Sequence, residues 1–90
     1  MQNREERVKT SLPVDLGFGK GVTKDISMSG VFFETDADCR PGSEIDMTIT
    51  MDGPHGPLLL RCTGQILRVE LKGGKRGIAA KLSDVRLKEV

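Results

Sequence analysis

Ser43-Glu44-Ile45-Asp46-Met47-Thr48-Ile49-Thr50-Met51 alternates polar and apolar side chains without a break. Ile45, Met47, Ile49 and Met51 fall on one face of an extended chain, and Glu44, Asp46, Thr48 and Thr50 on the other. That is the pattern of a half-buried antiparallel strand. On its C-terminal side Asp52-Gly53-Pro54-His55-Gly56-Pro57 is a turn by composition. A long strand then runs from Leu58 to Glu70, and its inward set shifts from Leu60, Cys62, Gly64 and Ile66 to Leu67 and Val69. A change of phase beside a glycine predicts a bulge, the device that bends a sheet toward closure. Lys72-Gly73-Gly74-Lys75 makes a tight hairpin, and Gly77 to Leu82 returns with Ile78, Ala80 and Leu82 inward. Ser83 is a candidate cap for a short helical turn ending at Val90.

On the N-terminal side, Asp36 to Gly42 is a polar loop, and Gly30–Thr35 and Val22–Ile26 read as strands. Leu12, Val14, Leu16 and Phe18 alternate in a first strand. The Gly17-Phe18-Gly19-Lys20-Gly21 run between strands lacks the following helix and the Lys-Ser/Thr ending of a phosphate-cradling loop, so it reads as a hairpin turn. Six strands with one apolar face each and a bulge predict an all-β chain: a small six-stranded antiparallel β-barrel with a short C-terminal helical turn. Residues 1–10 are charged and without periodicity, a flexible arm, and residues 11–90 form the barrel domain.

The chain has 90 residues, one small domain. Fourteen basic and 13 acidic residues leave a formal charge of +1, so an anionic ligand must be met by local cations rather than by a global field. Three Phe are the whole aromatic complement, which argues against a single-strand-binding surface that stacks bases along a basic groove. No apolar run is longer than three residues, Leu58-Leu59-Leu60 among them, far short of a membrane span, and the charged N-terminus is unlike a secretory signal. A cytoplasmic domain is the expectation. Cys39 and Cys62 have no C-x-x-C partner; Cys62 is in the inward phase, and Cys39, in a polar loop, is expected to be exposed. His55, the single histidine, lies in a Gly/Pro turn with no convergent metal ligands or catalytic partner. Ser27 has no neighbouring base, and no carboxylate pair suggests catalysis, so the chain reads as a non-enzyme.

Asp25-Ile26-Ser27-Met28-Ser29-Gly30 interrupts the ladder-forming pattern between two strands. Asp and Ser side chains cap nearby backbone N–H groups and Gly admits backbone angles closed to other residues, so the run makes a tight turn. It also gathers an acceptor, two hydroxyls and a position open to close backbone approach, the elements of a ligand contact. Upstream, Arg4 and Arg7 stand in the charged arm just before Leu12-Pro13-Val14.

This arrangement resembles the PilZ domain, the bacterial receptor module for the second messenger cyclic di-GMP. The family's signatures are R-x-x-x-R in an N-terminal arm and D/N-x-S-x-x-G at a strand end, and Asp25 to Gly30 matches the second completely. The order of later features is similar too: the Pro41-Gly42 turn, the Gly64-Gln65-Ile66-Leu67-Arg68-Val69 run and the Gly77 to Leu82 strand. The first signature departs from the pattern. Arg7 falls where the second arginine belongs, Asn3 occupies the first position, and Arg4 is one residue late with Glu5 and Glu6 between. The resemblance implies a six-stranded barrel whose arm and Asp25–Gly30 loop meet on its outside. It implies cyclic di-GMP as ligand and Arg4, Arg7, Asp25, Ser27 and Gly30 as ligand-binding residues. It further implies a protein partner that reads the ligand-ordered arm, with no nucleic acid polymer and no membrane insertion. The alternative is a PilZ-like domain that has lost nucleotide binding and acts as a protein-interaction adaptor, in line with Asn3 and the two glutamates.

Overall fold

A computed structural model of the chain describes residues 6–90. Its strands are β1 (Val8–Lys9), β2 (Pro13–Asp15), β3 (Lys20–Ile26), β4 (Gly30–Thr35), β5 (Glu44–Gly53), β6 (Gly56–Lys72) and β7 (Lys75–Glu89). All pairings are antiparallel. The order β3-β2-β5-β6-β7-β4 closes on itself through β3–β4 pairing, so six strands form a barrel, while β1 adds to the end of β3 beside β2. Closure leaves no free edge around the ring. Among the described residues there is no helix, and none long and apolar enough to cross a membrane.

The barrel interior follows from period-two alternation. Val14, Val31, Phe33, Met47, Ile49, Ile66 and Ile78 are buried together on the inward phase of their strands. The hairpin between β6 and β7 is turned by Gly73 and Gly74, both with positive φ, as two consecutive left-handed positions require. Gly17 (φ 83°) turns the β2–β3 connection, closed by Leu16 N–H donating to the Gly19 carbonyl at 2.8 Å.

β1 and β2 are one strand interrupted by a bulge. Lys9 pairs with Asp25 and Pro13 with Val22, so the N-terminal side carries one residue more than β3 between the two pairings. Thr10 N–H still reaches the Lys24 carbonyl (3.1 Å), and Thr23 N–H the Leu12 carbonyl (2.9 Å). The backbone groups the bulge turns inward are satisfied by one side chain. The Thr23 hydroxyl accepts from Leu12 N–H at 2.8 Å and donates to the Thr10 carbonyl at 2.9 Å, with Thr23 fully buried. A buried donor or acceptor without a partner costs about 1–3 kcal/mol, so this hydroxyl is part of the fold's framework.

Four expectations are corrected by the structure. Residues 83–89 continue β7 as strand rather than forming a helical turn. Leu58 to Arg61 extend β6 far enough to pair with Arg86 to Glu89, and that ladder satisfies backbone groups a one-turn helix would leave open. The strand passes Ser83 through a register shift at Asp84, whose φ of 50° is a conformation Asp tolerates. Leu67 points outward at 57% exposure: Ile66 pairs with Ala80 and Arg68 with Ala79, so Leu67 is the extra residue of the β6 bulge. Phe18 is 58% exposed because β2 ends at Asp15 and Leu16 is the last inward side chain before the turn. Cys39 is buried, not exposed. Its loop is drawn onto β6 by Gly42 N–H donating to the Ile66 carbonyl (2.7 Å) and Ile66 N–H to that of Ser43 (2.8 Å). Burial pushes the Cys39 thiol upward, reinforced by the Asp38 charge and opposed by Arg76, and burial pushes Cys62 up to about 11. Both thiols are therefore protonated and weakly nucleophilic at neutral pH.

Candidate functional site

Asp25 reaches the barrel's outer surface through a second bulge. Thr23 pairs with Phe33 and Asp25 with Phe32, so Lys24 is extra on β3. Beyond it Ser27-Met28-Ser29-Gly30 closes the β3–β4 hairpin, with Ser27 N–H donating to the Gly30 carbonyl at 2.8 Å. Leu82 N–H donates to the Ser29 carbonyl at 2.8 Å and ties the turn to β7. The run therefore serves as a tight turn, and that same turn fixes the motif's side chains in place.

Arg7 comes to this turn because β1 pairs antiparallel with the end of β3. Its Nε donates to Asp25 Oδ1 at 2.8 Å, its Nη2 forms an ion pair with the same oxygen, and its Nη1 donates to Ser27 Oγ at 3.4 Å. Ser27 Oγ in turn donates to the Gly30 carbonyl at 3.3 Å. A Cβ on Gly30 would lie 3.3 Å from the Ala80 carbonyl oxygen and 3.9 Å from Arg7 Nη1, so glycine here permits a close approach rather than an unusual φ. The structure thus brings together Arg7, Asp25, Ser27 and Gly30. Arg4, with Asn3 and Glu5, lies outside the described residues.

A groove of about 670 Å³ opens beside this cluster, inside the ~300–1,000 Å³ range of small-molecule sites. β7 runs between β4 and β6, and its small Ala79 lies on the groove floor. Arg7, Asp25, Ser29, Gly30 and Phe32 line one wall, and Leu67, Arg68 and Glu70 of β6 the other, with Lys81 beside them. Arg68 Nε donates to Glu70 Oε2 at 2.7 Å. Lys81 has no carboxylate partner among the described residues. The groove's cations thus exceed its acids by one.

Arg7 and Asp25 are partly exposed, as are Arg68 and Glu70. Ion pairs in that setting contribute about 0–1 kcal/mol, so an incoming anion or base edge can displace either at little cost.

Phe32, Leu67, Arg68, Glu70 and Lys81 escaped the sequence reading of the site. The one signal for them was the phase change near Gly64: the β6 bulge turns Leu67 outward and sets Arg68 opposite Ala79 and Glu70 opposite Gly77.

No curated protein shows a significant match to this sequence. The fold superposes on the solved structure of Bacillus subtilis Inhibitor of motility (MotI/DgrA) with a TM-score of 0.81 at 15% identity, over 96% of this chain and 45% of that one. At that identity the likeness is one of fold, and this chain spans less than half of the other's length. The PilZ domain family, a family of ligand-binding and adaptor modules tied to cyclic di-GMP signalling, matches residues 2–89. With nearly its whole length matched and the Asp25 to Gly30 motif on the outer wall of a six-stranded barrel, the chain belongs to the PilZ domain family.

Proposed function

We propose that this domain is a receptor for cyclic di-GMP, which it binds in the groove beside the β3–β4 turn. The observation that carries the reading is the convergence of Arg7 on Asp25 and Ser27 at the groove's wall. Arginine's planar fork suits both guanine O6/N7 and phosphate oxygens, and it stacks on bases. The Asp25 carboxylate accepts from the guanine N1–H and N2–H edge, a role closed to Arg and Lys. Ser27 supplies a hydroxyl, Gly30 lets backbone approach the ring, and Lys81 offers a point charge to phosphate. Arg7, held on Asp25 without ligand, exchanges that partner for the nucleotide.

Arg4 joins from residues 1–10, an arm already anchored on β3 through Val8 and Lys9, whose remainder orders over the ligand and presents a changed surface to a protein partner, while residues 11–90 hold the barrel. A good bidentate contact is worth about 1–3 kcal/mol, so the departure at Asn3 makes affinity hinge on whether Arg4 reaches the groove. The domain acts in the cytoplasm, where such a messenger is made and read, and performs no catalysis itself. The second reading, a PilZ-like adaptor without nucleotide, rests on Asn3 in place of the first arginine and on Glu5 and Glu6, which would repel phosphate if turned inward. Isothermal titration of cyclic di-GMP into the chain at physiological salt, with GTP as control, separates the two. Saturable binding at micromolar or tighter affinity, absent for GTP, is expected. No heat with either nucleotide would favour the adaptor.

A further inference from the structure

A ligand with two guanines needs two base sites, and the Arg7–Asp25–Ser27 cluster furnishes one. Phe32 on the β4 wall and Arg68 and Glu70 across the groove on β6 make a second set of complementary groups that no motif residue supplies. Phe32 projects outward from β4 while its neighbour Phe33 is fully buried, so its ring belongs to the groove wall rather than the core. Gly77 of β7 holds it there: a Cβ on Gly77 would lie 2.7 Å from Phe32 Cζ and 3.5 Å from Cε1 and Cε2. The tip of the ring thus occupies the space a side chain would take. On β6, Arg68 and Glu70 stand two residues apart on one face, joined by the 2.7 Å Nε–Oε2 bond. Among the described residues that bond is the only polar contact either side chain makes, whereas Arg7 is turned in upon both Asp25 and Ser27.

We propose that Phe32, Arg68 and Glu70 form a second base-binding subsite, selective for guanine, that spans the groove from β4 to β6. The inference rests on the groove being the cyclic di-GMP site. One guanine lies against the Phe32 ring. The terminal guanidinium nitrogens of Arg68 donate to O6 and N7, and the Glu70 carboxylate accepts from N1–H and N2–H. Adenine reverses this edge, offering an amino donor where guanine has O6 and an acceptor at N1, so both side chains would face unmatched groups. The bond between Arg68 and Glu70 sets the two readers side by side, as the adjoining Hoogsteen and Watson–Crick edges of guanine require.

The test is titration of cyclic di-GMP and cyclic di-AMP into the unaltered chain, Phe32→Leu and Glu70→Gln. Phe32→Leu, which keeps an apolar side chain but removes the stacking ring, is expected to weaken cyclic di-GMP binding by about tenfold. Glu70→Gln is expected to weaken it by a similar factor and to narrow the preference over cyclic di-AMP. Glu70 is a surface side chain, so its variant reports cleanly even where Phe32→Leu loosens the β4–β7 contact. Cyclic di-GMP binding unchanged in both variants would overturn the subsite while leaving the groove reading intact. No binding by the unaltered chain would overturn both.

Discussion

Replacing Arg7 by alanine is expected to weaken cyclic di-GMP binding about ten- to a hundredfold while leaving stability almost unchanged. The two readouts separate because of where the side chain sits. In the unliganded fold the Arg7–Asp25 pair is half-exposed, and pairs of that kind contribute about 0–1 kcal/mol. Toward a guanine or a phosphate the same guanidinium makes two parallel charge-assisted bonds, worth about 1–3 kcal/mol. Arg7→Lys keeps the charge without the fork and should recover only part of the loss. The check is titration of cyclic di-GMP together with urea denaturation of each variant. Arg7→Ala binding as tightly as the unaltered chain would remove the first base site from its assigned place.

Thr23→Val is expected to destabilise the domain by about 2–4 kcal/mol and to weaken ligand binding at a distance. Valine matches threonine in shape, so packing changes little. What is lost is the hydroxyl that accepts from Leu12 N–H and donates to the Thr10 carbonyl. Each orphaned group costs about 1–3 kcal/mol where water cannot reach it. A small domain whose total stability is on the order of 5–10 kcal/mol would feel this strongly. The binding effect follows from connectivity: the bulge between β1 and β2 sets the register of β1, and β1 carries Arg7 to Asp25. Thr23→Ser keeps the hydroxyl and should cost about 1 kcal/mol, mainly from a lost methyl. The urea midpoint and amide exchange at residues 8–12 report both effects. A Thr23→Val domain with unchanged midpoint and unchanged exchange would show that the hydroxyl is dispensable.

What the sequence reveals and what it hides divides along the range of the interactions. Ser43 to Met51 announces its strand because burial of one face is written every second residue, and Gly73-Gly74 announces its hairpin because two left-handed positions demand glycine. The end of β7 is hidden because Ser83 reads locally as a helix cap. Only the length of β6, which supplies Leu58 to Arg61 as partners, makes strand the better state. The β6 bulge is legible as a slip of phase, but its extra residue is chosen by pairing with Ala79 and Ala80, so Leu67 faces outward where the local pattern points it inward. Cys39 has polar neighbours in sequence and is buried by hydrogen bonds between Ile66 and the C-terminal end of its loop, at Gly42 and Ser43. The candidate site shows the same split. Asp25, Ser27 and Gly30 stand in one short run and are legible together. Phe32, Arg68 and Glu70 meet only because β4, β7 and β6 lie side by side.

The measurement that bears most directly on the groove as the cyclic di-GMP site is the amide chemical-shift map of the isotopically labelled chain titrated with that nucleotide. Shifts concentrated at Arg7, Asp25 to Gly30, Leu67 to Glu70 and Ala79 to Lys81, saturating together, are the predicted result. Shifts confined to another surface, such as the hollow lined by Pro54, His55 and Leu87, or no shifts at all, would contradict it.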